Sequence, residues 1–287
     1  MNYQWYPGHM TKAKRMMEEN IKLIDLVIEI VDARIPISSR NPDIDSLAVN
    51  KARIILLNKS DLADDKITNQ WINYFNENNI YCLKLNSRNN SGIKQVNGLI
   101  MTACADKIER NKQRGILNRP IRAMVVGIPN VGKSTFINSY AGKASAKTGN
   151  KPGVTKGKQW IKLNKNVELL DTPGILWPKF DNQEVGKRLA MIGSMNDEIL
   201  NVEELAIDTI KYIYSERYGL DKEKTAASYD ENAINPDNSV ALYIMEQAAV
   251  KRGCIKKGNN IDYEKISNII LDDFRSGRLG RISLETP

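Results

Sequence analysis

A mostly parallel six-stranded α/β sheet followed by a smaller all-α domain is predicted for this 287-residue chain. Three features of the sequence predict it. Short runs rich in Val and Ile recur in the first part of the chain, each followed by turn residues and a helical stretch, which is the pattern of strands buried in a parallel sheet. Past Pro178 such runs stop, and amphipathic helical stretches take their place. The hydrophobic fraction of 41% and charged fraction of 26% are those of a globular chain, and no stretch approaches the ~18 apolar residues of a membrane span.

Six strands are expected, at Leu26–Val31, Arg53–Asn58, Tyr81–Asn86, Ile121–Gly127, Gln159–Leu163 and Val167–Asp171. The polar turn Asn164–Asn166 joins the last two as a hairpin, which puts one antiparallel edge on an otherwise parallel sheet. Between the strands, helical periodicity covers Ile67–Asn76, Ile93–Arg110 and Lys133–Tyr140. Farther on it covers Val202–Tyr214, Val240–Lys251 and Tyr263–Phe274, so the expected division is a sheet domain over 1–178 and a helical domain over 179–287.

Composition narrows the function classes. Cys82, Cys104 and Cys254 are far apart, form no CxxC pair and have a single histidine for company, so reduced thiols are expected and a metal centre is not. The opening MNYQWYPGHM lacks the charged and apolar regions of a secretion signal, and a cytoplasmic location is expected. A net charge of +8 favours a polyanionic partner. The charge is concentrated: seven lysines and no acid lie between Lys143 and Val167.

Gly127–Ser134 reads GIPNVGKS, a match to GxxxxGK[ST] between an expected strand and an expected helix. Its glycines let backbone N–H groups from Asn130, Val131, Gly132, Lys133, Ser134 and Thr135 wrap a phosphate; Lys133 neutralises phosphate oxygens, and the Ser134 hydroxyl suits Mg²⁺. Asp171–Gly174 forms DxxG at the end of a strand, where Asp171 suits Mg²⁺ and Gly174, lacking a Cβ, brings its N–H close to a γ-phosphate. Thr155 in KPGVTK is placed to add a second hydroxyl for Mg²⁺; Thr148 competes for that role, and spacing does not choose between them.

Asn58, Lys59 and Asp61 form NKxD at the end of an earlier strand. A carboxylate accepts from guanine N1–H and the 2-amino group together, whereas adenine has no such donor pair. The Asn58 amide reaches N7 and O6, the Lys59 stem lies over the ring, and the Ser87 backbone amide completes the pocket. The motifs therefore run guanine, base-closing strand, phosphate loop, threonine, DxxG. This is a rotation of the usual order with every motif still at the carboxyl end of a strand, as a circular permutation through Ile108–Pro120 would leave it.

WYPGHM, DARIP, NKSD, GIPNVGKS, PGVTK and DTPGILWPKF span about the first 180 residues, and on them the sequence resembles the circularly permuted bacterial GTPases of ribosome assembly. The resemblance implies a circularly permuted P-loop GTPase domain that binds GTP or GDP with Mg²⁺ and hydrolyses GTP. It also implies coupling to late maturation of the large (50S) ribosomal subunit, with a helical domain that contacts ribosomal RNA. In that family a hydrophobic residue, here Ile175, replaces the water-positioning Gln; His9 is implicated in its stead, and Asn130 in holding K⁺. Lys251, Arg252, Lys256, Lys257, Arg275, Arg278 and Arg281 are candidates for RNA phosphate contacts. A monomer with no membrane partner is expected. Two alternatives remain open, an RNA-binding module with a structural nucleotide and a GTPase acting on transfer RNA.

Overall fold

The computed structural model describes residues 15–117, 119–142, 159–163, 166–171, 182–218 and 236–287. Its sheet has six strands. β1 (Leu26–Asp32), β2 (Ala52–Asn58), β3 (Tyr81–Lys84), β4 (Ile121–Val126), β5 (Gln159–Lys162) and β6 (Val167–Asp171) lie in the order β3-β2-β1-β4-β6-β5. All neighbours are parallel except β5 and β6, which are antiparallel as the hairpin reading expects.

All seven residues of β1, LVIEIVD, are buried, because β1 sits in the middle of the sheet with both faces covered. On one face Val31, Ile55 and Leu57 meet Trp71 and Phe75 of helix α2 (Asp65–Glu77), for which Asp64 is the N-cap, its side chain accepting from Ile67 N. Trp71 and Phe75 stand four residues apart on one stripe and stack at 5.8 Å. Truncation of Phe75, 1% exposed, to Ala would cost about 3–5 kcal/mol. The opposite face carries α3 (Ile93–Ala103), which packs on β2, β3 and the later helix α5 (Lys133–Ala141).

Three local differences from the sequence expectation have physical causes. The helix expected over Ile93–Arg110 is two, α3 and α4 (Ala105–Gln113), which meet at Cys104; the buried stripe of Ile93, Val96 and Ile100 runs out there, and no residue of α4 is buried. A five-residue helix, α1 (Asp43–Leu47), buries only Ile44 and is too short to show a helical period. The later domain is not wholly helical: beside α7 (Val202–Tyr218), α8 (Pro236–Lys251) and α9 (Tyr263–Arg275) it has the hairpin β7 (Ile255–Lys256) and β8 (Asn260–Ile261). Residues 257–259 make its turn, Gly258 and Asn259 having φ of +84° and +62°.

The chain divides into two compact units, one running up to Leu189 and taking in Ser283–Pro287, the other Ala190–Ile282. The boundary expected from the sequence, 178/179, lies outside the described residues, and the last five residues group with the sheet unit.

Candidate functional site

The strand order reverses direction between β1 and β4, with β2 and β3 stepping one way and β6 and β5 the other. In such sheets the crevice at the carboxyl ends of the strands is where a ligand sits. The NKSD motif follows β2, Ser87 follows β3, the glycine loop follows β4, and Asp171 ends β6, so the topology delivers every described motif to that edge.

Asn58, 2% exposed, is the junction. Its Nδ2 donates to Val131 O of the glycine loop at 2.8 Å, across 73 residues of sequence, and its Oδ1 accepts from Ser87 N at 3.1 Å and Ser87 Oγ at 2.9 Å. Ser87 O in turn accepts from Ser139 Oγ of α5 at 2.6 Å. The sequence reading has the Ser87 amide complete the base pocket; in the structure that N–H donates to Asn58 Oδ1, so Ser87 braces the asparagine of NKSD.

The glycine loop is shaped by its main chain. Asn130 and Gly132 have φ of +58° and +96°, and a Cβ on Gly132 would overlap the Asn58 amide, which explains glycine at this position. A Cβ on Gly127 would collide with Ile30 O of β1. Lys133, 8% exposed, donates from Nζ to Gly127 O and Ile128 O, each at 3.2 Å, which folds the side chain back over its own loop. Gly132 is the N-cap of α5, so the helix's first N–H groups, from Lys133, Ser134 and Thr135, open toward the loop as an anion site.

Sequence reasoning missed a buried charge network under the guanine motif. Asp32, the last residue of β1 and fully buried, takes three bonds from Arg34, at 2.9 Å from Nε, 2.9 Å from Nη2 and 3.1 Å from the backbone N, and pairs with Lys59 Nζ at 3.1 Å. Burial alone would raise the Asp32 pKa, but the Arg34 guanidinium, then Lys59 and the Arg34 hydrogen bonds, outweigh it and hold the carboxyl well below the usual range. Lys59 has φ of +56°, which turns the chain off β2 toward Asp61 at a cost on the order of 1 kcal/mol. The signal lay in DARIP, where an Asp and an Arg interrupt an otherwise apolar stretch.

Asp171 is paired in register with Val125 of β4, two residues before the glycine loop begins, so the DxxG strand ends beside the phosphate strand. His9, Thr148, Thr155 and Gly174 lie outside the described residues.

Several of the RNA candidates have partners inside the protein. Arg275 donates to both Asp197 oxygens at 2.6 and 2.8 Å and to Ala190 O and Met191 O at 2.7 and 3.0 Å; with its side chain 18% exposed it is a structural residue, which corrects the sequence reading. Arg252 and Arg278 share the buried Asp273, and Lys256 pairs with Asp262. Arg252, Lys256 and Arg278 stay more than half exposed, and Lys251 and Lys257 are exposed as well. Among the described residues no helix is long and apolar enough to cross a membrane, and no group of His, Cys, Asp and Glu is arranged to hold a metal ion.

Comparison with known proteins agrees with this geometry. A family model described as a 50S ribosome-binding GTPase matches residues 122–242. That span takes in the phosphate loop and DxxG but starts after NKSD, as a rotated motif order requires. Ribosome biogenesis GTPase A of Bacillus cereus is 47% identical, covering 100% of this chain and 95% of that protein. Its namesake from Thermotoga maritima is 32% identical over 99% and 94%. Among solved structures, GNP-bound YlqF from T. maritima has a TM-score of 0.68 at 28% identity, covering 96% of this chain and 98% of that one. A rotated set of guanine-nucleotide motifs gathered at one sheet edge, together with identity that runs the length of the chain, leads to one conclusion: the chain belongs to the ribosome biogenesis GTPase A family of circularly permuted GTPases.

Proposed function

We propose that this GTPase assists late maturation of the large ribosomal subunit, binding ribosomal RNA in one nucleotide state and leaving it in the other. The observation that carries the nucleotide part is the Asn58–Val131 bond, which sets the guanine motif directly against the phosphate loop. In this reading Asp61 accepts from guanine, Lys59 lies along the ring, and Asn58, held by Ser87, keeps base and phosphate ends in register. The left-handed loop and Lys133 fit a triphosphate: the cradle has no room for a Cβ at Gly132, and its cation is buried.

Mg²⁺ supplies charge neutralisation for phosphoryl transfer, and Ser134, Thr155 and Asp171 are the residues that would hold it. Asn130, in its left-handed conformation, is the residue for K⁺. His9 is assigned to water positioning on the family resemblance alone, and Gly174 to sensing the γ-phosphate. The helical unit after Leu189 is the RNA-binding part, and Lys251, Arg252, Lys256, Lys257, Arg278 and Arg281 remain its candidate phosphate contacts. We assign the protein to the cytoplasm as a monomer.

Two measurements test this reading. Calorimetry should find GTP bound in strong preference to ATP, with the preference lost in Asp61→Ala; equal binding of ATP by the unaltered chain would sink the assignment. Multiple-turnover phosphate release should be slow alone, on the order of 10⁻⁴ per second, and rise several decades with large ribosomal subunits. His9→Ala should abolish the rise with GTP affinity unchanged. No turnover under either condition would favour the RNA-binding module with a structural nucleotide.

A further inference from the structure

The segment Ser283–Glu285 follows directly on the helical unit yet is built into the sheet unit. All three residues are buried, with exposures of 5%, 1% and 8%. Each makes a directed polar contact. Ser283 Oγ accepts from Asp64 N at 3.1 Å, three residues beyond Asp61; Leu284 N donates to Arg34 O at 2.8 Å. Glu285 O accepts from Trp71 Nε1 at 3.2 Å.

The Glu285 carboxylate occupies a cradle of donors. It accepts from Ile37 N at 2.9 Å, from Ser38 N at 3.1 and 3.2 Å, from Ser38 Oγ, and from Arg188 Nη1 of α6 (Gln183–Met191) at 3.1 Å. A charged acceptor with this many donors makes stronger bonds than a neutral one. The turn that it grips, residues 34–38, begins with Arg34, and Arg34 fixes Asp32, which pairs with Lys59. A continuous line of bonds thus runs from Glu285 through the turn to the guanine motif, and a second reaches the loop after Asp61 through Ser283.

We propose that Ser283–Glu285 is a positioning element for guanine-nucleotide binding: Glu285 and Leu284 hold the 34–38 turn so that Asp32 and Arg34 present Lys59 to the base. The helical unit therefore has a covalent route to the guanine end of the site, distinct from its connection through the DxxG strand. Whatever displaces this segment loosens the nucleotide at its base. By linkage, a bound guanine nucleotide tightens the segment in turn.

The inference rests on the guanine-binding reading above, and the experiment separates the two. In the full chain Glu285→Ala should speed GDP dissociation about tenfold while GDP still binds. Made in a Lys59→Met background, the same change should have little further effect, because the two act through one line of contacts. Equal losses in both backgrounds, or an unaltered dissociation rate in a folded Glu285→Ala, would overturn the proposal. Hydrogen exchange on the unaltered chain provides a check that needs no variant: GDP should slow exchange at the Ile37, Ser38 and Leu284 amides, and unchanged exchange there overturns it too. A chain that binds ATP as tightly as GTP removes the guanine reading and this inference together.

Discussion

At the proposed guanine end Asn58 is tied to Ser87, and Lys59 to Asp32, through side-chain atoms, whereas the phosphate loop Gly127–Lys133 takes its form from left-handed backbone and missing Cβ atoms. The difference follows from the ligand. A phosphate is a symmetric anion that a ring of N–H groups satisfies from many directions. A purine is told from another by donors and acceptors at fixed points, so the groups that read it have to be held by directed bonds. The guanine end should therefore fail through lost charge partners, and the phosphate end through altered backbone.

The largest effect is expected from breaking the guanine-end network at its base. Asp32→Asn leaves Arg34, 1% exposed, without the carboxylate that takes its guanidinium's two bonds; stranding a buried charge costs about 3–5 kcal/mol. Urea unfolding should show that loss in the transition of the sheet unit. Its pH dependence is determined by sign. The Asp32 pKa is lowered on folding, so its contribution is complete above the unfolded value near ~3.9 and is lost as pH falls through the folded value. The gap between the native chain and Asp32→Asn should be level from about pH 9 to about pH 5 and shrink only below about pH 4. A gap that closed near neutral pH would mean that another group holds Arg34.

The phosphate end is broken by a single methyl group. Gly132→Ala puts a Cβ into the Asn58 amide and forces an L-residue to φ of +96°. GTP and GDP affinity should both fall about a hundredfold, roughly 2.7 kcal/mol. Because the displaced group is Asn58, nucleotide selectivity should weaken along with affinity. Retained preference for GTP over ATP in this variant would show that the two ends are independent, contrary to the Asn58–Val131 bond.

The sequence carried these two ends unequally. The strands were legible because apolar runs in the middle of a parallel sheet are continuous, and β6 falls at Val167–Asp171 as expected. The phosphate loop was legible because its chemistry is local, eight consecutive residues. The guanine end was legible only as NKSD and Ser87; of its supports, Asp32 and Arg34 lie together in DARIP and Glu285 near the other end of the chain, and no periodicity links Glu285 to a turn 247 residues earlier. Arg275 misled for the same reason in reverse: a basic residue in the last turn of an amphipathic helix reads as surface, and only the fold brings Asp197 and two carbonyls to it. Contacts that close over long sequence distances are what a one-dimensional reading lacks.

The smallest expected effect lies where the two ends meet outside Asn58. Ser139, on α5 six residues past Lys133, donates to Ser87 O, and Ser87 steadies Asn58. Ser139→Ala removes one neutral hydrogen bond, worth about 1 kcal/mol, while Ala is the better helix former by up to ~0.5 kcal/mol. Stability should consequently fall by only about half a kcal/mol in urea. The kinetic consequence is more telling. If α5 helps the guanine end through Ser87, GDP should leave about two to three times faster from Ser139→Ala, a change that stopped-flow fluorescence of a labelled nucleotide resolves. A dissociation rate equal to that of the native chain would show the guanine end to be self-sufficient, with the Ser139 bond serving α5 alone; the division between a side-chain end and a backbone end would then be sharper than the bonds between them suggest.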